Sequence, residues 1–219
     1  MNAPTAIRNE WYGYDTCLYL WDTKCLPCIV RGAISFPTEQ HPGYACIGVR
    51  PLKGNGPVEI VEEHEWNVVE PVWDDQRETL VFPGLSPWLA RARSIWGVYK
   101  IAFVSDEDEG LAWKRQISAC SACQPPSEWC MAEFGAPRAA FPLLWDWINR
   151  GMITFDGDKP LAAFLKVMES QPLDDPQTVG RAVASLLWHL SRRGQYHEAP
   201  LAGSNPRSTE YDWTGVTKL

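Results

Sequence analysis

Cys25 and Cys28, the two thiols of "WDTKCLPCIV" at 21–30, are the residues whose type and spacing point most directly to chemistry. A Cys-x2-Cys pair can cycle between dithiol and disulfide, supply half of a tetrahedral zinc site, or pack as two small apolar side chains. The flanking residues separate these uses. After Cys28 the chain reads "IVRGAISFP", whose β-branched residues, glycine and closing proline describe a strand. Strand also precedes it, so the quartet is expected in a tight turn between two β-segments, with both sulfurs presented to one side as in a zinc knuckle.

The eight residues "WDTKCLPC" resemble the Trp-x-x-x-Cys-x-Pro-Cys stretch of thioredoxin-like oxidoreductases. That resemblance implies a thiol–disulfide oxidoreductase whose first cysteine is activated by a helix N-terminus. No helix is predicted after Cys28, and the alternating βαβ order of that family is absent, so metal binding ranks ahead of redox catalysis. Candidates for the other two ligands fall in two places. His41 and Cys46 are nearest, but Pro42 and Gly43 between them break the helix that a small ββα finger requires. The segment "CSACQPPSEWC" supplies a second Cys-x2-Cys, Cys120 and Cys123, with Cys130 beyond. The favoured site is Cys25, Cys28, Cys120 and Cys123 around a structural zinc; a site using His41, Cys46 or Cys130, and no metal at all, remain alternatives. Four thiolates leave no coordination position for water, so such a zinc would act in folding.

Signatures of other enzyme classes are missing. There is no phosphate-binding Gly-x4-Gly-Lys loop, "PGLSPW" lacks the second glycine of a nucleophile elbow, and "HEWNV" has Val68 where a zinc protease needs its second histidine.

Charge points toward recognition. The net charge is −7, and eight acids (Glu59, Glu62, Glu63, Glu65, Glu70, Asp74, Asp75, Glu78) stand against the single base Arg77 between 59 and 78. This balance opposes unaided binding to phosphate backbones and suits a protein partner with a basic surface. Twelve tryptophans exceed what a core of this size uses, and surplus exposed Trp is favoured at interfaces. The predicted partner-binding set is Glu62, Glu63, Asp74 and Asp75, together with Trp188 flanked by Arg181 and Arg192 on the outer face of the last helix. The alternative is a zinc-containing subunit of a nucleic-acid-binding complex, using Arg91, Arg93, Arg181 and Arg192, with other members supplying the remaining positive charge.

These residues need a scaffold, and the chain describes an α+β one. Residues 1–104 are predicted to form a β-rich domain, mainly antiparallel, with one helix opened by Ser86 and Pro87. An acidic loop and Cys-rich connector follow over 105–136. Three helices are predicted over 137–198, and a flexible or extended tail over 199–219. The last helix is the clearest, because Val179, Val183, Leu186, Leu187 and Leu190 form one apolar stripe at helical spacing. No segment of about 18 apolar residues suggests a membrane span. The N-terminal residues do not read as a signal peptide, and seven cysteines fit a reducing compartment, so a cytoplasmic location is expected.

Overall fold

The computed structural model describes residues 16–21, 24–52, 56–67, 71–76, 78–98, 100–104, 128–131, 136–170 and 177–196. Four strands, β1 (Thr16–Trp21), β2 (Lys24–Ser35), β3 (Gly43–Pro51) and β4 (Val58–Trp66), follow one another as antiparallel neighbours. Parallel strands extend this meander at both edges. β7 (Lys100–Val104) lies beside β2 and β8 (Glu128–Met131) beside β7, while the two-residue β9 (Ile153–Thr154) lies beside β4. At 12 residues, β2 is long enough to hold β1 along 24–29 and β7 along 32–35, with β3 on its other edge. A separate two-stranded ribbon is formed by β5 (Val72–Asp74) and β6 (Thr79–Val81). The expected α+β organisation, a sheet-rich N-terminal half followed by a helical C-terminal region, is present. The parallel edge strands are an addition that the sequence reading missed.

Helices cover both faces of the sheet. On one face α1 (Leu85–Ser94) sets Leu85, Trp88, Leu89 and Ala92 against Cys28, Val30, Ile34, Ala45, Ile47 and Val49. On the other lie α2 (Ala136–Asn149), α3 (Pro160–Ser170) and α4 (Gln177–Tyr196), whose apolar residues meet Ile29, Ala33, Tyr44, Cys46, Val58 and Ile60. Successive residues of a strand point to opposite faces. A strand covered on both faces must therefore be apolar or small at nearly every position, and Gly43–Arg50 is buried without a break. All five residues of the α4 stripe are buried. α4 approaches the sheet closely enough that a Cβ on Gly48 would stand 2.7 Å from Leu186 Cδ2. That proximity explains why β3 carries glycine there.

Three sequence expectations change. The Cys-Leu-Pro-Cys quartet is not a turn: all four residues lie inside β2, paired with β1. Ser86 does not cap α1, which begins one residue earlier, after Gly84 at φ 85°. Ser86 is buried instead, and its Oγ accepts the Phe82 N–H at 2.8 Å. Trp188 does not face outward; it is half-buried and packs against the same cluster as the stripe. Ala182, Ala184 and Ser185 are buried as well, so most of the circumference of α4 is covered.

Candidate functional site

The acids of β4 sort themselves by a single irregularity. Pairing with β3 steps from Gly48↔Ile60 to Ile47↔Glu62, leaving Val61 as an extra residue in a β-bulge. Val61 and Glu62 therefore both address the α1 face, and Glu63 addresses the opposite one. Glu62 accepts the Trp96 indole N–H at 2.7 Å and the Arg91 Nε–H at 3.3 Å, which fastens the end of α1 to the sheet. Glu59 accepts the Tyr19 hydroxyl at 2.8 Å, tying β1 in from the side. Glu63 Oε2 accepts the Tyr44 hydroxyl and the Leu161 backbone N–H, each at 2.8 Å. Leu161 is the second residue of α3, behind Pro160, so a strand carboxylate meets the positive end of that helix. His64, on the α1 face of the sheet, hydrogen bonds to the Gly84 carbonyl at 2.8 Å and stacks on Trp66. Three of the predicted surface acids are thus occupied by aromatic donors of the protein itself.

The Glu63 side is electrostatically tense. Burial raises its carboxyl pKa above the ordinary value, against the lowering effect of its two hydrogen bonds and of Lys159. Its second oxygen, Oε1, is buried and has no hydrogen-bond partner among the described residues. Directly across the ladder stands Cys46, fully buried, with its thiol pushed well up by burial and by the nearby Glu63 charge. Tyr44, also fully buried, is pushed up for the same first reason. Burial of this kind favours the neutral thiol over the thiolate. Through Glu63, which accepts from Tyr44 and from the Leu161 N–H, the cluster ties β3 and β4 to the start of α3. Sequence reading missed Tyr44, which opposes Glu65 in the ladder and reaches Glu63 diagonally, because nothing in a single strand reveals which residue of another strand its side chain will meet.

The β5–β6 ribbon is the contrasting surface. Val72 and Trp73 are adjacent in β5 and therefore face opposite ways, yet they are 50% and 57% exposed. Both faces of β5 are open to solvent. Its partner β6 is the anchored strand, through Leu80, which packs against the α1-side core. Asp74 accepts the Gln76 N–H at 2.9 Å to start the connecting turn, and Asp75 and Glu78 are exposed beside it. Glu78 has φ 48°. The ribbon thus combines two exposed apolar side chains with three carboxylates. Sequence reading named Asp74 and Asp75 and did not single out Val72 and Trp73; the signal that marks the ribbon is "DDQRE" as a turn between two short apolar runs.

The remaining predicted residues are scattered. Cys28 is fully buried in the α1-side cluster. Cys25 is three residues away in the same strand, a position of opposite parity. One ion could take both sulfurs only if that end of β2 left the ladder. Cys120 and Cys123 lie outside the described residues, as do the acidic loop at 105–110 and the tail. Among the described residues no three His, Cys, Asp or Glu side chains gather as metal ligands do. Arg181 is half-buried on α4; Arg192 lies on the same helix, its side chain outside the described set. Arg93 is exposed on α1. The predicted partner-binding residues therefore do not form one patch: Glu62 and Glu63 work inside the fold, and Asp74 and Asp75 belong to the ribbon. No described helix is long and apolar enough to cross a membrane. No protein-family profile matches the chain, and no curated protein matches it.

Proposed function

We propose that the protein acts by recognition, docking a partner protein through the β5–β6 ribbon. The observation that carries this reading is the exposure of Val72 and Trp73 on both faces of β5, with the exposed carboxylates Asp75 and Glu78 at the turn end of the same ribbon. A two-stranded ribbon on its own is marginal in water, and Trp is among the residue types enriched at the anchoring positions of interfaces. The chemistry that complements it is an apolar cleft rimmed by Lys or Arg. A second copy of this chain fits poorly, because it would bring like charges together on a protein of net charge −7.

The test starts from a photoreactive residue at position 73, which identifies the protein it touches. That protein is then purified and its affinity measured directly. Trp73→Ala is expected to weaken binding by about 30-fold, the scale of a hot-spot truncation, without moving the melting temperature. Asp75→Asn with Glu78→Gln is expected to slow association and flatten its salt dependence. Cross-linking at 73 to no defined partner, or a Trp73→Ala variant that binds normally, would refute the reading.

A further inference from the structure

The ladder between β1 and β2 creates a cysteine pair different from the one that sequence spacing suggests. The two strands are separated by two residues and pair outward from Trp21↔Lys24, which sets Cys17 directly opposite Cys28. Opposed positions in an antiparallel ladder belong to one face, with Cα atoms about 4.5–5.5 Å apart, inside the roughly 4.4–6.8 Å window of a disulfide. The face is fixed independently. Tyr19 has the parity of Cys17, and it packs against the same core cluster that holds Cys28 and Leu26. Cys25 and Cys28, by contrast, are about 10 Å apart along an extended strand and cannot be bridged while β2 is formed.

We propose that Cys17 and Cys28 form a reversible cross-strand disulfide, made and broken by exchange with a small disulfide of the glutathione class. One cysteine thiolate attacks a sulfur of the small disulfide; that S–S bond breaks and one small thiol leaves. The other cysteine then attacks the protein-bound sulfur of the mixed disulfide and expels the second small thiol. Two protein thiols are oxidised, one small disulfide is reduced to two thiols, and the protein's two thiol protons end on them. Cys28 is fully buried, so exchange proceeds when β1 lifts; among the described residues β2 is its only ladder partner. Cβ atoms across a ladder sit about 4.5–5.5 Å apart against about 3.8 Å in a relaxed disulfide, so the bond is strained and readily reduced. Oxidation fixes β1, and with it the Tyr19–Glu59 hydrogen bond, to the sheet.

The experiment equilibrates the full chain in graded mixtures of reduced and oxidised glutathione, quenches with an alkylating reagent, and maps peptides without reduction. The expected result is one cross-linked pair joining the Cys17 and Cys28 peptides, rising with the oxidised fraction and reversed by the reduced one. The cross-link is lost in Cys17→Ala and retained in Cys25→Ala and Cys46→Ala. Differential alkylation of the unaltered protein gives the same reading without any variant: Cys17 and Cys28 lose reactivity together while Cys25 keeps its own. A bond joining Cys25 to Cys28, or full alkylation of Cys17 and Cys28 at the most oxidising ratio, overturns the proposal.

Discussion

One oxygen of Glu63 receives two donors, Tyr44 and the start of α3, while the other is buried with none among the described residues. Its folded pKa is raised, with burial as the leading cause. The stability linked to this group is therefore full below its unfolded value of about 4.3 and is lost as pH rises through the folded value. Glu63→Gln keeps an acceptor for both donors and removes the charge. It is expected to melt higher than the parent protein at neutral pH, with the difference vanishing below about pH 4. A lower melting temperature at neutral pH would mean that the ionised form is net favourable and that burial is not in control. Glu63→Ala is expected to be destabilised throughout, because Tyr44 loses its acceptor inside the core. None of this was legible in the acidic run. A glutamate among glutamates looks solvated, and the group that redefines Glu63 comes from 98 residues further along the chain.

At the scale of elements, the helices could be read and their attachments could not. The α4 stripe repeats at 3.6 residues whatever covers it, so its five apolar positions were found correctly. The β9 strand has two residues, held against β4 with Met152 O accepting the Val58 N–H, so no local pattern announces it. Glu62 illustrates how one side chain fixes an element. Glu62→Ala leaves the Trp96 indole N–H without its acceptor and is expected to cost about 1–3 kcal/mol by denaturant unfolding. Arg91→Ala breaks only an ion pair at the exposed end, 62% open on the arginine side, and is expected to cost less than about 1 kcal/mol. Equal losses in the two variants would show that the ion pair, not the indole bond, holds α1. Gly48→Ala is expected to destabilise by about 1–3 kcal/mol through Leu186, and to be partly relieved by Leu186→Val in a double-mutant cycle. The proposed zinc site makes a related demand. Cys25 and Cys28 can share an ion only out of the ladder, so elemental analysis should find zinc loading and the Cys17–Cys28 cross-link to exclude each other.

For the whole molecule, the total charge was legible in the sequence, and the contacts that individual carboxylates make were not. Glu59, Glu62 and Glu63 hydrogen-bond to aromatic residues of the chain itself, and on the proposed reading Asp75 and Glu78, exposed in the ribbon that carries Trp73, would steer a basic partner. Association through that ribbon is accordingly expected to slow as ionic strength rises, while the melting temperature of the isolated protein changes little. The bulge at Val61 bears on how this sequence tolerates change in length. Upstream and downstream halves of β4 differ in phase by one residue, and Val61 is the residue that absorbs the difference. Deleting Val61 leaves Ile60 opposite Gly48 and Glu62 opposite Ile47, so the ladder closes regularly and every carboxylate keeps its layer. The loss is limited to Val61's own partial burial. Ironing out the bulge with Val61 retained would instead send Glu62 beneath the C-terminal helices and Glu63 beneath α1. A deletion in mid-strand, ordinarily ruinous, is here the conservative edit, and the full-length strand is the form that must be held out of frame.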